Sequence, residues 1–327
     1  MRKNRWKSIL LCVWLTAMCL TGCGAAAADI DMSAGPVTDE ENDTTGEAAI
    51  AVGGNEQVGE GVRTNESGDD GADKGITKET AAENESAFEG RALSILGDSI
   101  STYDGWIMEG AAIFYPFYGD LTDVSQTWWM RLLDDTGMEL CANDSSSGST
   151  CVGDSLDVGD FRYGCSSFRL SFLAGKQGKM PDVIIVYMGT NDLLKGIPIG
   201  DNDGTKLVEE GVIDNFSDAY CLILDKLLSE FPAADIYCCT LPPIGDWGTE
   251  EPFVDFENVL GLTSRDYSQQ INSIAVNKGI SLMDLSECGI KIDNLEEMTT
   301  DGVHMTPVGM EYIEQAMLAE LVGTSEE

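Results

Sequence analysis

From residue 91 to residue 322 the chain alternates short apolar runs with longer segments of helical periodicity. Few folds accommodate that rhythm. The clearest run, 182–187, reads Asp-Val-Ile-Ile-Val-Tyr between Pro181 and Gly189. An apolar residue at every interior position means a strand covered on both faces. Residues 92–96, 139–142, 235–240 and 280–283 read as four more strands. Between them, Trp128, Trp129, Leu132 and Leu133 recur at helical spacing over 124–134, and Gly137 is the stop signal. Helices are predicted over 166–173, 214–231, 264–278 and 307–321, the second ended by Pro232. Strands interleaved with helices predict a three-layer α/β/α sandwich around a parallel sheet of about five strands. Residues 91–323 suffice for one such domain, and no internal repeat is visible. Ligands of this architecture bind at loops beyond the carboxyl ends of the strands.

The first 90 residues do not join the pattern. Arg2, Lys3, Arg5 and Lys7 precede the apolar run 9–20, and Leu20-Thr21-Gly22-Cys23 follows. A basic start, an apolar stretch and small residues before a cut describe a secretory signal over 1–22. The run is shorter than the ~20 apolar residues a membrane-spanning helix needs. Leu20-Thr21-Gly22-Cys23 also resembles the lipobox of bacterial lipoproteins. That resemblance implies cleavage before Cys23 and lipidation of Cys23, hence an exported protein anchored in a membrane and facing away from the cytoplasm. Residues 24–90 are mostly Ala, Gly, Thr, Asn, Asp and Glu, with Phe88 as their one aromatic. Such a segment cannot bury enough apolar surface to offset its ordering entropy, so 23–90 is expected to be a disordered acidic tether.

The formal charge of −38 at pH 7 argues against nucleic acid or anionic lipid as a partner, and leaves membrane association to the lipid on Cys23. Of the 10 cysteines, Cys12 and Cys19 leave with the signal and Cys23 takes the lipid. The odd remainder argues against a full disulfide framework. Buried thiols are one reading; export also permits a Cys151–Cys165 bridge. No C-x-x-C pair occurs and the chain has a single histidine, so neither a metal nor a cofactor is expected.

Three predicted strands end in residues able to carry chemistry. Gly97-Asp98-Ser99 allows a tight turn that exposes a hydroxyl above the sheet edge, although the same residues suit an ordinary turn. Asn143 to Ser149 holds Gly148, whose bare backbone can bring its N–H close to a ligand; a flexible polar loop is the alternative. Gly189-Thr190-Asn191-Asp192 offers an amide donor for a developing oxyanion, or an Asx turn. Near the C-terminus, Asp301-Gly302-Val303-His304 contains the one histidine among 327 residues, and Thr306-Pro307 is a helix-start signature. A carboxylate three residues before an imidazole can fix its tautomer and stabilise its charged form. A surface histidine in a turn is the alternative.

In order and content, these four blocks resemble the SGNH hydrolases, also called the GDSL family, across residues 92–322. The resemblance implies a flavodoxin-like α/β/α sandwich and hydrolysis of acyl esters through an acyl-enzyme. It implies Ser99 as nucleophile, His304 as base and Asp301 as its orienting acid. An oxyanion hole would form from the N–H groups of Ser99 and Gly148 with the Asn191 side chain. The residues agree with that assignment: a serine hydroxyl is a weak nucleophile without a base, and His304 is the one imidazole present. Trp106, Trp247 and Phe253 lie in Gly/Pro/Asp-rich loops and are expected to be exposed, whereas Trp129 is expected in the core. Tyr115-Pro116-Phe117-Tyr118 adds aromatic rings after the first strand. A surface-tethered esterase suits a polymer outside the cell, so an O-acetylated glycan is the expected substrate, with lipid esters and acyl thioesters open. Two other functions fit parts of the chain. A solute-binding lipoprotein explains the anchor and leaves the four blocks without a purpose. An O-acyltransferase uses the same triad and excludes water.

Overall fold

The computed structural model describes residues 87–324; the signal, Cys23 and the tether up to residue 86 lie outside the described residues. Five strands form one sheet: β1 (Ala92–Gly97), β2 (Glu139–Ser145), β3 (Val183–Tyr187), β4 (Asp235–Cys239) and β5 (Ser281–Met283). Their spatial order is β2-β1-β3-β4-β5, and every neighbouring pair is parallel. The connection reverses direction between β1 and β3, which makes the carboxyl ends of those two strands the topological switch point. Gly97 pairs with Tyr187 on one side and with Ser145 on the other, so the ends of β2, β1 and β3 are level.

Helices α1 (Trp128–Thr136), α2 (Phe216–Glu230), α3 (Ser264–Lys278) and α4 (Pro307–Thr324) supply the outer layers. Helix α1 packs against α4, and α2 against α3. β1 and β3 are buried along their whole length, as their composition requires. The one hydroxyl inside β1, on Ser94, donates to the Leu173 carbonyl at 2.7 Å, so no polar group is left unpaired there. Trp128 and Trp129 are fully buried, the latter as expected. Their indole N–H groups donate to Ser101 Oγ at 3.1 Å and to the Ser101 carbonyl at 3.0 Å. The two largest core side chains therefore also brace the turn that follows β1.

The structure departs from the sequence expectation in five places. Helix α1 starts at Trp128, because Asp123 caps a separate 3-10 turn over Val124–Gln126 and Thr127 then caps α1 itself. β2 continues to Ser145, so Asn143, Asp144 and Ser145 are strand residues and only the following serines and Gly148 turn. Asn143 and Ser145 are satisfied from the side: Asn143 Nδ2 donates to the Ser101 carbonyl at 3.0 Å and Ser145 Oγ to Asn143 Oδ1 at 2.6 Å. Packing begins ahead of residue 91, since Phe88 is buried and the Gly90 N–H donates to the Gly137 carbonyl at 2.8 Å. A short helix, Thr190–Leu194, and a two-residue antiparallel ribbon pairing Gly153–Asp154 with Val212–Ile213 were not anticipated. Cys151 and Cys165 are free, buried thiols. Burial holds both above the ordinary thiol range, Cys165 at about 12.

Candidate active site

The turn after β1 is fixed from every side. A Cβ at Gly97 would lie 2.5 Å from Ser145 Oγ and 2.8 Å from Ser101 Cβ, so glycine alone lets the strand end pass its neighbours. Asp98 caps the 3-10 turn Ser99–Ser101 by accepting from the Ile100 N–H at 3.1 Å. Thr102 Oγ1 donates to the Ser99 carbonyl at 3.0 Å. The Ser99 side chain is the free end of this scaffold, and its Oγ lies 2.9 Å from His304 Nε2.

His304 reaches that position from a loop folded around its own carboxylate. Asp301 Oδ1 accepts from the backbone N–H groups of His304 at 2.8 Å and Val303 at 3.1 Å. Asp301 Oδ2 lies 2.8 Å from His304 Nδ1. A carboxylate facing Nδ1 places the proton there and leaves the Nε2 lone pair toward Ser99. Phe114 stacks on the imidazole with centroids 3.5 Å apart and planes 10° from parallel. Tyr115 meets it edge-on and donates its hydroxyl to the Met305 carbonyl at 3.0 Å. Burial alone would raise the Asp301 carboxyl. The hydrogen bond and charge of His304 and the two backbone N–H groups outweigh it and hold the group below the usual carboxylate range.

Gly148 and Asn191 follow the strands on either side of the one that leads to Ser99. Gly148 occupies the third position of a turn closed by the Ser149 N–H on the Ser146 carbonyl at 3.2 Å. Its φ of 75° makes this a type II turn, which demands glycine at that place. Lys195 Nζ holds the Gly148 carbonyl at 2.6 Å, and burial lowers the Lys195 ammonium from its ordinary value. Asn191 sits in the short helix after β3, and its Nδ2 is buried without a hydrogen-bond partner. An unpaired buried amide costs ~1–3 kcal/mol, so a donor held this way at a strand-end site is set for a ligand oxygen.

Charges beneath the site come from Arg169, which periodicity and turn signals do not single out, and from Asp144, Asp192 and Asp98 inside the strand-end blocks. Arg169 and Asp144 form a fully buried ion pair at 3.1 Å, and Arg169 Nη2 also donates to the carbonyls of Gly97 at 2.9 Å and Asp144 at 2.5 Å. The guanidinium thereby ties the ends of β1 and β2 together. Asp192 accepts from the N–H groups of Cys151 at 2.8 Å and Val152 at 3.1 Å, and burial pushes its carboxyl up to about 7. Burial raises Asp98 to about 6, partly offset by the Ile100 N–H and by His304. Trp247 is half-exposed, as expected, and its Nε1 donates to Asp301 Oδ2 at 3.0 Å. Phe253 is partly buried rather than exposed. A polar cleft between α3 and β5, lined by Arg265, Asn272 and Asp284 among others, contains none of the site residues; the chemistry lies at the open strand ends.

Ser99, His304 and Asp301, distributed over 205 residues of chain, form one continuous hydrogen-bonded series. A base-coupled hydroxyl beside an unused amide donor, at the switch point of a doubly wound sheet, is the arrangement of an α/β serine hydrolase. The family model for GDSL-like lipases and acylhydrolases matches residues 91–246. A Bacteroides uniformis protein assigned as a GDSL-like lipase is 26% identical and superposes with a TM-score of 0.52, the match covering 73% of this chain and 97% of that one. A Bacteroides ovatus protein assigned likewise is 22% identical, with a TM-score of 0.50 over 73% of this chain and all of its own. A Lactobacillus plantarum protein shares the fold at 20% identity, with a TM-score of 0.54 and coverage of 72% and 98%. No curated protein matches the chain. The match assigns residues 91–246 to the GDSL-like lipases and acylhydrolases, and the class of reaction is the hydrolysis of acyl esters.

Proposed function

We propose that the protein is an exported, lipid-anchored serine esterase that removes acyl groups, acetyl foremost, from carbohydrate. The reading rests above all on the 2.9 Å approach of Ser99 Oγ to His304 Nε2. As the hydroxyl attacks the ester carbonyl, Nε2 takes its proton and Asp301 stabilises the imidazolium. The N–H groups of Ser99 and Gly148 and the Asn191 amide receive the tetrahedral oxyanion. Collapse of that intermediate breaks the C–O bond, and His304 returns the proton to the departing alcohol. Water then attacks the acyl-enzyme with the same base, which releases the acid and restores Ser99.

The carbohydrate part of the proposal draws on the rings around His304. Tyr118 is 71% exposed with its ring 5.8 Å from Phe114, and Trp247 is 51% exposed with its ring 6.4 Å from the imidazole. Rings apolar in body and wet at the rim suit the amphipathic faces of sugars. The lipid on Cys23 and the acidic tether would hold the catalytic domain outside the membrane, within reach of a polymer.

Acetate release from a panel of acetylated glycans, wild type against Ser99→Ala, tests the reading, with a fluorophosphonate probe applied in parallel. We expect release and labelling at Ser99 in the wild type and neither in the variant. Undiminished release by Ser99→Ala removes the triad. Turnover of aryl acetates without release from any glycan keeps the esterase and removes the carbohydrate. The anchor is tested by Cys23→Ala, which should move the protein from the membrane fraction to the soluble fraction.

A further inference from the structure

We propose that Trp247 is a positioning residue for the catalytic carboxylate, its indole N–H fixing Asp301 to the body of the sheet and thereby holding His304 in the productive tautomer. The inference rests on the triad proposed above. Asp301 accepts four hydrogen bonds: Oδ1 takes two backbone N–H groups, and Oδ2 takes His304 Nδ1 and Trp247 Nε1. Three of these donors belong to residues 303 and 304, on the same loop as the carboxylate. They shape the loop but move with it. Trp247 is the donor that comes from another segment, 54 residues away.

That segment is anchored. It leaves β4 through Leu241-Pro242-Pro243 and closes on itself by the Gly245–Asp255 bridge and by the Phe256 N–H on the Ile244 carbonyl at 3.1 Å. The Gly245 N–H donates to the Gly302 carbonyl at 2.6 Å, which clips the loop to the Asp301 turn, and the Trp247 N–H donates to the Gly245 carbonyl at 2.9 Å. The indole thus carries the position of β4 to the carboxylate. Its N–H is a donor in every protonation state, so Oδ2 stays an acceptor whatever the imidazole does. A second donor on Oδ2 also spreads the carboxylate charge and makes it a poorer destination for the Nδ1 proton. Both effects keep the proton on Nδ1 and the lone pair on Nε2.

His304 is the sole histidine, so histidine labelled with nitrogen-15 gives an imidazole signal that needs no assignment. The experiment compares wild type, Trp247→Phe and Thr249→Ala by that spectrum and by kcat and KM for a small aryl acetate. Trp247→Phe keeps an aromatic ring and deletes the donor. We expect kcat to fall about tenfold with KM within about twofold, the size of a hydrogen bond to a charged group partly realised in the transition state. The downfield Nδ1 proton should shift or broaden. Thr249→Ala removes the bond from Thr249 Oγ1 to the Asp246 carbonyl in the same loop, 2.7 Å in the native protein, and does not touch Asp301. It should leave kcat and the imidazole signal unchanged. Wild-type kcat and an unshifted Nδ1 proton in Trp247→Phe would overturn the proposal, as would an equal effect from Thr249→Ala, which would assign the loss to loop order. A wild-type rate in Ser99→Ala defeats the triad itself and is read separately.

Discussion

Asn191 holds an amide donor that the folded protein does not use. Its desolvation is a standing cost of ~1–3 kcal/mol, relieved when a negative oxygen arrives. Asn191→Ala therefore separates catalysis from stability. We expect kcat to fall by about 10²- to 10³-fold, with the urea midpoint unchanged or slightly raised. A clear loss of stability would mean that the amide has a structural partner. Asp301 presents the opposite case. Four donors converge on its two oxygens, and a carboxamide would turn an NH2 group against two of them. Asp301→Asn should disturb the imidazole tautomer and lower kcat by about 10⁴-fold while near-ultraviolet circular dichroism stays native. A loss of less than tenfold would show that His304 does not depend on this carboxylate.

The polar end of β2 makes its own prediction at the level of elements. Arg169 and Asp144 are both fully buried, and the guanidinium ties β1 to β2 just below the turn that carries Ser99. Arg169→Met strands the Asp144 carboxylate and should cost about 3–5 kcal/mol of unfolding free energy. The double variant Arg169→Met/Asp144→Leu should recover much of that loss, because no unpaired charge remains. Failure of the second change to restore the urea midpoint would assign the loss to the carbonyls of Gly97 and Asp144 instead. The same pair marks where the sequence stops being legible. Helix α3 was predicted to its end residues and β3 to within one, because apolar periodicity and Gly or Pro stops are local signals. The end of β2 reads as loop in the sequence because Asn143, Asp144 and Ser145 are polar, and only distant partners make them strand. Helix Thr190–Leu194 is too short to show a period. Ser99, Gly148 and Asn191 stand out in the sequence because tight turns restrict residue type at strand ends, and Asp301 and His304 because their spacing before a helix start is a local signal. Phe114, Arg169 and Lys195 act across tertiary contacts, such as the 72 residues between Arg169 and Gly97, and no local pattern announces them; Trp247 shows in the sequence as a loop aromatic but not as a donor to Asp301.

Across the whole molecule, buried carboxyls and overall charge press in the same direction. Burial raises Asp98 to about 6 and Asp192 to about 7; it also raises Glu314 to about 7, with Asp135 nearby adding to the shift. A carboxyl whose pKa is higher in the folded state binds its proton more tightly there than in the unfolded chain. Its favourable contribution is complete below the unfolded value near 4 and is lost as pH climbs through 6 and 7. Asp301 runs the other way: its pKa is lowered, so its contribution is present above the unfolded value and fades only in more acid solution. A formal charge of −38 at pH 7 adds self-repulsion that grows as carboxyls ionise. Stability should therefore peak on the acid side of neutrality and decline from pH 5 to pH 8. Asp192→Asn isolates one contributor. The amide oxygen can keep one of the two backbone bonds, so the variant starts less stable, and the informative quantity is the slope. Removing the titration should flatten the decline between pH 5 and pH 8 by on the order of a few kcal/mol, read as urea midpoints at both pH values. Self-repulsion is screened by salt and burial of a carboxyl is not, so 0.5 M NaCl should lift the pH 8 midpoint of wild type and variant alike and leave the difference between their slopes in place. A variant that declines as steeply as the wild type would place the pH dependence in the surface charge and not in the clamp that Asp192 forms on Cys151 and Val152.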